Sequence, residues 1–266
     1  MPTAIIAAHT IQGFFIAADG RSRRDDGGVL RVLRENQQKI FPIRDDHARF
    51  AFAVTGTAQF TSEGDDTDVA FDFISGTHEA ANELRITPCL DALDYCNRLA
   101  QGIGESLERS VVNARQAGRR VNYPSNQGQF GDLIALLFLC GYHHDTSCGI
   151  IFRFFHRNQR LARPETIQRL AIGDWTIGGP PEVSHLLYDT NDARFTQFRS
   201  IHPARNRSFE EWSTTARDYV SACQSPAGLA VDPQLALGIG GRVHAATITA
   251  VDGFRWVPGM EPITAP

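Results

Sequence analysis

Lysine is nearly missing from this chain: of its 26 basic residues 25 are arginine, and Lys39 is the one ammonium. Lysine can be deprotonated by desolvation or by neighbouring positive charge, whereas arginine keeps its proton. A lone lysine in an arginine-rich background is therefore a candidate for proton-transfer chemistry, with drift of composition as the bland alternative. Ordered cysteine spacing is missing too. The five cysteines, an odd number without a C-x-x-C pair, exclude a disulfide framework and fit reduced core thiols. No apolar run approaches the roughly 20 residues of a membrane helix. The N-terminus lacks the basic region and cleavage site of a signal peptide, so the expected compartment is the cytoplasm and no membrane partner is expected. A net charge of −4 lacks the concentrated positive field that phosphate backbones require, which argues against nucleic acid as a partner. The stretch from Arg109 to Arg120 then reads as the solvated end of a helix. With no Pro/Ser-rich linker, internal repeat or low-complexity segment, residues 1–266 read as a single domain.

What is present is the composition of an ordinary globule, 42% hydrophobic and 21% charged, long enough to build a core without disulfide or metal staples. Strands are expected at Ala4 to His9 and Gly13 to Ala18, joined by a turn at Thr10 to Gln12. A polar loop "GRSRRDDGG" follows, then "VLRVLRENQQKIFPI", whose end is extended because Pro42 forces its predecessor out of helical space. "RFAFAVTGTAQ" is another apolar run that stops at a glycine. Residues 60 to 86 are ambiguous between strand and helix. From Thr87, a capping residue, and Pro88, suited to a first turn, helical spacing predicts one long helix to about Arg115. "LIALLFLCGY" and "GIIFRFFH" predict a hairpin buried on both faces. Helical patterns follow at Pro181 to Tyr188 and Phe209 to Cys223, and "RVHAATITAVDGFRWV" closes the chain as a strand pair around Asp252 and Gly253. Sheets covered by helices, without alternating βαβ units, make this an α+β chain.

Several features have structural explanations. Cys140, His143, His144 and Cys148 offer metal-ligand chemistry, but their spacing fits no zinc pattern and a hairpin turn accounts for them, so no metal and no cofactor are expected. "IGGPP" and "GIGG" lack the lysine and following hydroxyl of a phosphate loop and read as tight turns. Trp175, Trp212 and Trp256 read as core or interface anchors.

The opening "TAIIAAHTIQGFFIAADGR" resembles the first hairpin of the proteasome β-type subunits and their bacterial relatives, members of the N-terminal nucleophile (Ntn) hydrolases. In that family a threonine starts the first strand and A-A-D-x-R ends the second. Thr3 and Asp19 are sixteen residues apart, as in the family. "QKIFPI" is similar to its lysine and apolar partner, "FAVTGTA" to its strand ending in a glycine turn, and "GIGGRVHAATITAVDGFRW" to its closing strand pair. The resemblance implies a four-layer αββα sandwich, peptide or unfolded-protein substrates, and a homo- or hetero-oligomeric ring. It also implies site roles: Thr3 as nucleophile, Lys39 as activating cation or proton relay, Asp19 as its partner, and a backbone N–H near Gly56 as oxyanion donor. The base in such a site is the free α-amine, whose pKa of about 8 lies near working pH. A peptide nitrogen cannot take that role, so Met1-Pro2 must be removed before Thr3 can act.

Three outcomes stay open at the N-terminus: cleavage after Pro2, retention of Pro2, or Pro2 itself serving as a secondary-amine base. The chain also departs from the family. Ile177-Gly178-Gly179-Pro180 stands where a supporting serine is expected, and Ala236 and Ile239 stand where an aspartate and a serine precede the G-G pair. The expected function is a proteasome-like threonine-type amide hydrolase. Its alternatives are a catalytically silent ring or scaffold subunit and a small-molecule amidase.

Overall fold

The computed structural model describes residues 3–26, 29–45, 47–56, 59–62, 65–119, 132–157, 160–161, 163–190, 192–205, 207–233 and 238–263. Strands β1 (Ile5–Thr10) and β2 (Gly13–Asp19) show no polar alternation because both of their faces are covered. They pair antiparallel from Ile5↔Ala18 to Thr10↔Gly13, as the sequence predicts. The polar stretch after Asp19, expected as a loop, instead pairs as a second hairpin of β3 (Ser22–Asp26) and β4 (Val29–Arg34). Hydrophobic periodicity is the main strand signal, and a polar strand does not carry it.

Next come β5 (Ile40–Arg44) and β6 (Ala48–Gly56). The ambiguous segment resolves into β7 (Gln59–Ser62), β8 (Asp65–Asp72) and helix α1 (Phe73–Leu84). Asp72 starts that helix by accepting the Ser75 N–H at 2.7 Å. The long helix α2 (Ala92–Gln116) begins later than predicted. Thr87 spends its N–H on Leu84 O at the end of α1, and Asp91 is the residue that caps, accepting from Asp94 N at 2.8 Å. The predicted hairpin is present as β9 (Asp132–His143) and β10 (Thr146–Arg157), followed by β11 (Arg160–Leu161), β12 (Glu165–Arg169) and β13 (Trp175–Gly178). Helix α3 (Pro181–Ser184) runs into a π-turn at His185–Asp189, and a 3-10 helix spans Ala193–Phe198. Helices α4 (Phe209–Gln224) and α5 (Pro226–Val231) precede the closing pair β14 (Val243–Thr249) and β15 (Gly253–Trp256).

The chain forms two compact units, Met1–Pro42 with Leu170–Pro266, and Ile43–Arg169. In the first, the antiparallel sheet runs β13-β1-β2-β14-β15. Helix α4 presents Trp212, Ala216, Tyr219, Val220 and Cys223 at helical spacing to Phe15 and Ala17 of β2 and Ala245 of β14. Burial of each large side chain contributes about 1.5–3 kcal/mol. Trp212 is buried there, Trp175 packs against the same cluster, and Trp256 sits edge-on to Phe254. In the second unit the sheet order is β11-β10-β9-β6-β5, with β12 added to β10. There α2 buries Tyr95, Leu99, Ile103, Leu107 and Val111. The architecture is thus mixed, two large antiparallel sheets and the two-stranded pairs β3-β4 and β7-β8 with a few helices. Among the described residues, no helix is long and apolar enough to cross a membrane.

Candidate active site

Hairpin register builds the site. Asp19 closes β2 opposite the start of the chain: its N–H donates to Ala4 O at 3.1 Å, and the Ala4 N–H donates to Asp19 Oδ1 at 2.9 Å. The residue whose backbone Asp19 holds is therefore the immediate neighbour of Thr3, which is itself buried. The same Oδ1 accepts from Lys39 Nζ at 2.9 Å. Oδ2 accepts from the N–H groups of Arg21 at 3.2 Å and Gly240 at 3.1 Å.

Asp19 is fully buried and the Lys39 side chain is 11% exposed. Removing both charges from water costs several kcal/mol each, and only a pair whose remaining valences are filled recovers that cost. Four donors on one carboxylate meet the condition. Burial still raises the Asp19 carboxyl above its ordinary value, against the downward pull of the Lys39 ammonium and of the Gly240 and Ala4 N–H groups.

The glycine pair 240–241 is explained by this carboxylate and its supports. Gly240 has φ of 151° while donating to Asp19, and a Cβ on Gly241 would lie 2.2 Å from Glu35 O. Arg21 braces the same region, with Nε 3.1 Å from a Glu35 carboxylate oxygen and Nη1 donating to Ile239 O at 3.1 Å.

Gly56, expected near the reacting carbonyl, belongs to the second unit. It ends β6 opposite Ala135 with φ of 100°, and a Cβ there would sit 2.6 Å from Ile134 O, so the strand end alone demands glycine. Met1 and Pro2, on which exposure of Thr3 depends, lie outside the described residues, as does Ala236. At the other departure, Gly178 pairs with Ile5, and the Tyr219 hydroxyl donates to Pro180 O at 3.3 Å.

Cys140, His143, His144 and Cys148 belong to the β9–β10 hairpin, where Thr146↔His143 closes the turn and His144 takes φ of 51°. Among the described residues, no group of three or more His, Cys, Asp or Glu side chains is placed to hold a metal ion. All five cysteines are free thiols.

Sequence reasoning missed Asn36 and His244. His244 is wholly buried on β14 beside Ala18, and its Nε2 lies 2.8 Å from Asn36 Oδ1. Burial, Arg242 and Lys39 push its imidazole down to a pKa of about 4. A lone histidine in an apolar strand signals only a core position, and an asparagine in a polar loop signals nothing.

No protein-family model matches the chain, and no curated protein matches it. Solved structures do. An Anbu Gly-1 mutant from Hyphomicrobium sp. strain MC1 is similar over 96% of this chain and 84% of its own, at 11% identity and a TM-score of 0.50. The helical assembly of the Anbu complex from Pseudomonas aeruginosa is similar over 96% and 86%, at 9% identity and a TM-score of 0.50. Anbu from Yersinia bercovieri, described as an ancestral beta-subunit, covers 97% and 88% at 10% identity and a TM-score of 0.48.

These likenesses correct the family expected from the sequence. The neighbours are Anbu proteins, proteasome-like but distinct from the proteasome β-type subunits, and at such identities they show the fold alone. The spacing of Thr3 and Asp19 within the motif that suggested the β-type Ntn hydrolases is set by the hairpin. The register of β1 with β2 returns Asp19 to Ala4, next to Thr3, and so accounts for the separation of sixteen between Thr3 and Asp19.

Proposed function

We propose that this chain is a proteasome-like subunit that hydrolyses peptide amides, with Thr3 as nucleophile once Met1-Pro2 is removed. The observation that carries the reading is the buried contact of the sole ammonium with Asp19 at 2.9 Å, on the same oxygen that holds the Ala4 N–H. In this reading the freed α-amine of Thr3 takes the hydroxyl proton as the oxygen attacks the amide carbonyl, and later delivers it to the leaving amine. Lys39 favours the alkoxide electrostatically and Asp19 fixes Lys39.

The reading takes residues 1–266 as one functional domain of the αββα class. It also takes the protein as cytoplasmic and assembled into oligomers, which the helical assembly of the Pseudomonas protein supports at the level of fold. The test is hydrolysis of a peptide carrying a C-terminal fluorogenic amide. Thr3→Ala is expected to abolish the activity and Thr3→Ser to retain part of it. Full activity in Thr3→Ala removes the proposal.

A silent scaffold subunit is the second reading, and one feature favours it. The end of β13, paired with the start of β1, and the turn after it carry Gly178, Gly179 and Pro180 in place of a hydroxyl that could orient a terminal amine.

A further inference from the structure

The loop between β4 and β5 delivers Lys39, and it is held from three sides. The Gln37 N–H donates to Gly20 O at 2.7 Å, beside Asp19, and the Arg242 N–H donates to Glu35 O at 2.8 Å, just before β14. The third hold is on the Asn36 side chain, whose Nδ2 donates to Ile263 O at 2.9 Å while its Oδ1 receives the Ile263 N–H at 3.4 Å. His244 adds a second donor to that oxygen at 2.8 Å. Because Oδ1 can only accept, His244 carries its proton on Nε2.

We propose that Asn36 and His244 are positioning residues for Lys39, and that the segment ending at Ile263 is the strap that locks Asn36 in place. An amide with its oxygen doubly occupied and its nitrogen engaged has one orientation, which fixes the loop backbone three residues before Lys39. A lysine is a point charge on a flexible four-carbon stem, so a defined ammonium position requires a defined backbone at its root. His244 suits the task as a neutral donor. Burial together with Arg242 and Lys39 disfavours its cationic form, so it holds Asn36 without adding positive charge beside the ammonium. Through these contacts β14 and the C-terminal segment converge on the Asn36 side chain.

The catalytic meaning of this arrangement rests on the function proposed above, but its test does not require activity. Because Lys39 is the only lysine, protein labelled with 15N-lysine gives a single side-chain Nζ signal. In the unaltered protein that signal is expected to be sharp and slowly exchanging. Asn36→Ala removes three hydrogen bonds from the loop, and Nζ proton exchange is expected to accelerate by about five- to tenfold. His244→Gln keeps an amide donor and is expected to retain the slow exchange, whereas His244→Leu is expected to lose it. Deletion of residues 261–266 provides an independent variant that leaves the core sequence intact, and it is expected to match Asn36→Ala.

An Nζ signal unchanged in Asn36→Ala and in the deletion overturns the inference. On the fluorogenic peptide amide, Asn36→Ala is expected to lower kcat with KM unchanged. Accelerated exchange alongside a fully active Thr3→Ala would retain the positioning role and refute the hydrolase. Slow exchange in Asn36→Ala alongside an inactive Thr3→Ala would do the reverse.

Discussion

Replacing Lys39 by methionine keeps most of the stem and removes the charge, leaving Asp19 fully buried with three backbone N–H donors and no cation. Breaking a buried ion pair from one side costs about 3–5 kcal/mol because the remaining charge is uncompensated. The three N–H groups still solvate the carboxylate, so the lower end, about 3 kcal/mol at pH 7, is expected. At this chain length that loss lowers the melting temperature by roughly 6–12 °C. The pH dependence follows from the Asp19 carboxyl, which burial raises and Lys39 pulls down. Without Lys39 its folded-state pKa moves further above the unfolded value of about 3.9. The deficit is therefore largest above the folded pKa and shrinks as the pH falls through it toward the unfolded value, below which the carboxyl is neutral in both states. Urea denaturation of Lys39→Met and the parent protein at pH 7 and at pH 4.5 measures both effects. Arg98→Ala supplies a scale, because the solvent-screened Arg98–Asp94 pair on α2 is expected to contribute little. If Lys39→Met costs no more than Arg98→Ala at pH 7, the buried pair is not what holds this corner of the fold.

The parent protein should lose stability as the pH falls from about 6.5 toward 4, because His244 stays neutral when folded and takes a proton when unfolded. Denaturation series of His244→Gln should lack that component, and identical acid profiles for the two proteins would contradict it. Gly241→Ala places a Cβ against Glu35 O at a positive φ and is expected to destabilise by about 2–3 kcal/mol, read by chemical denaturation. Asp91→Ala removes the cap of α2 and should cost about 1 kcal/mol, whereas Thr87→Ala, at the position the sequence suggested as the cap, should cost less.

The elements legible in the sequence were those whose side chains face a core. Strands β1, β2, β9, β10 and β14 announce themselves as apolar runs, and α4 shows helical spacing at Trp212, Ala216, Tyr219 and Cys223. The hairpin of β3 and β4 was hidden because β3 (SRRDD) is wholly polar and the apolar residues of β4 (VLRVLR) repeat every three positions instead of alternating. The start of α2 was misplaced because Thr87-Pro88 and Asp91 are both plausible caps, and only the engagement of the Thr87 N–H by Leu84 decides between them.

At the candidate site, the pairing of Asp19 with Lys39 was legible only through the resemblance to the proteasome β-type subunits, since neither residue type nor spacing by itself links the two. The donors that complete the carboxylate were not legible, since Gly240 reaches it across 221 positions of the chain. Asn36 and His244 were invisible for the same reason: their importance lies in partners far apart in sequence, and neither residue type is unusual where it stands.

The central claim, that Thr3 beside the Asp19–Lys39 pair becomes the first residue, is tested most directly by the intact mass of the protein purified from its natural host. The account predicts a mass that begins at Thr3. A mass that retains Pro2 would contradict it, because a threonine nitrogen locked in a peptide bond cannot accept the hydroxyl proton.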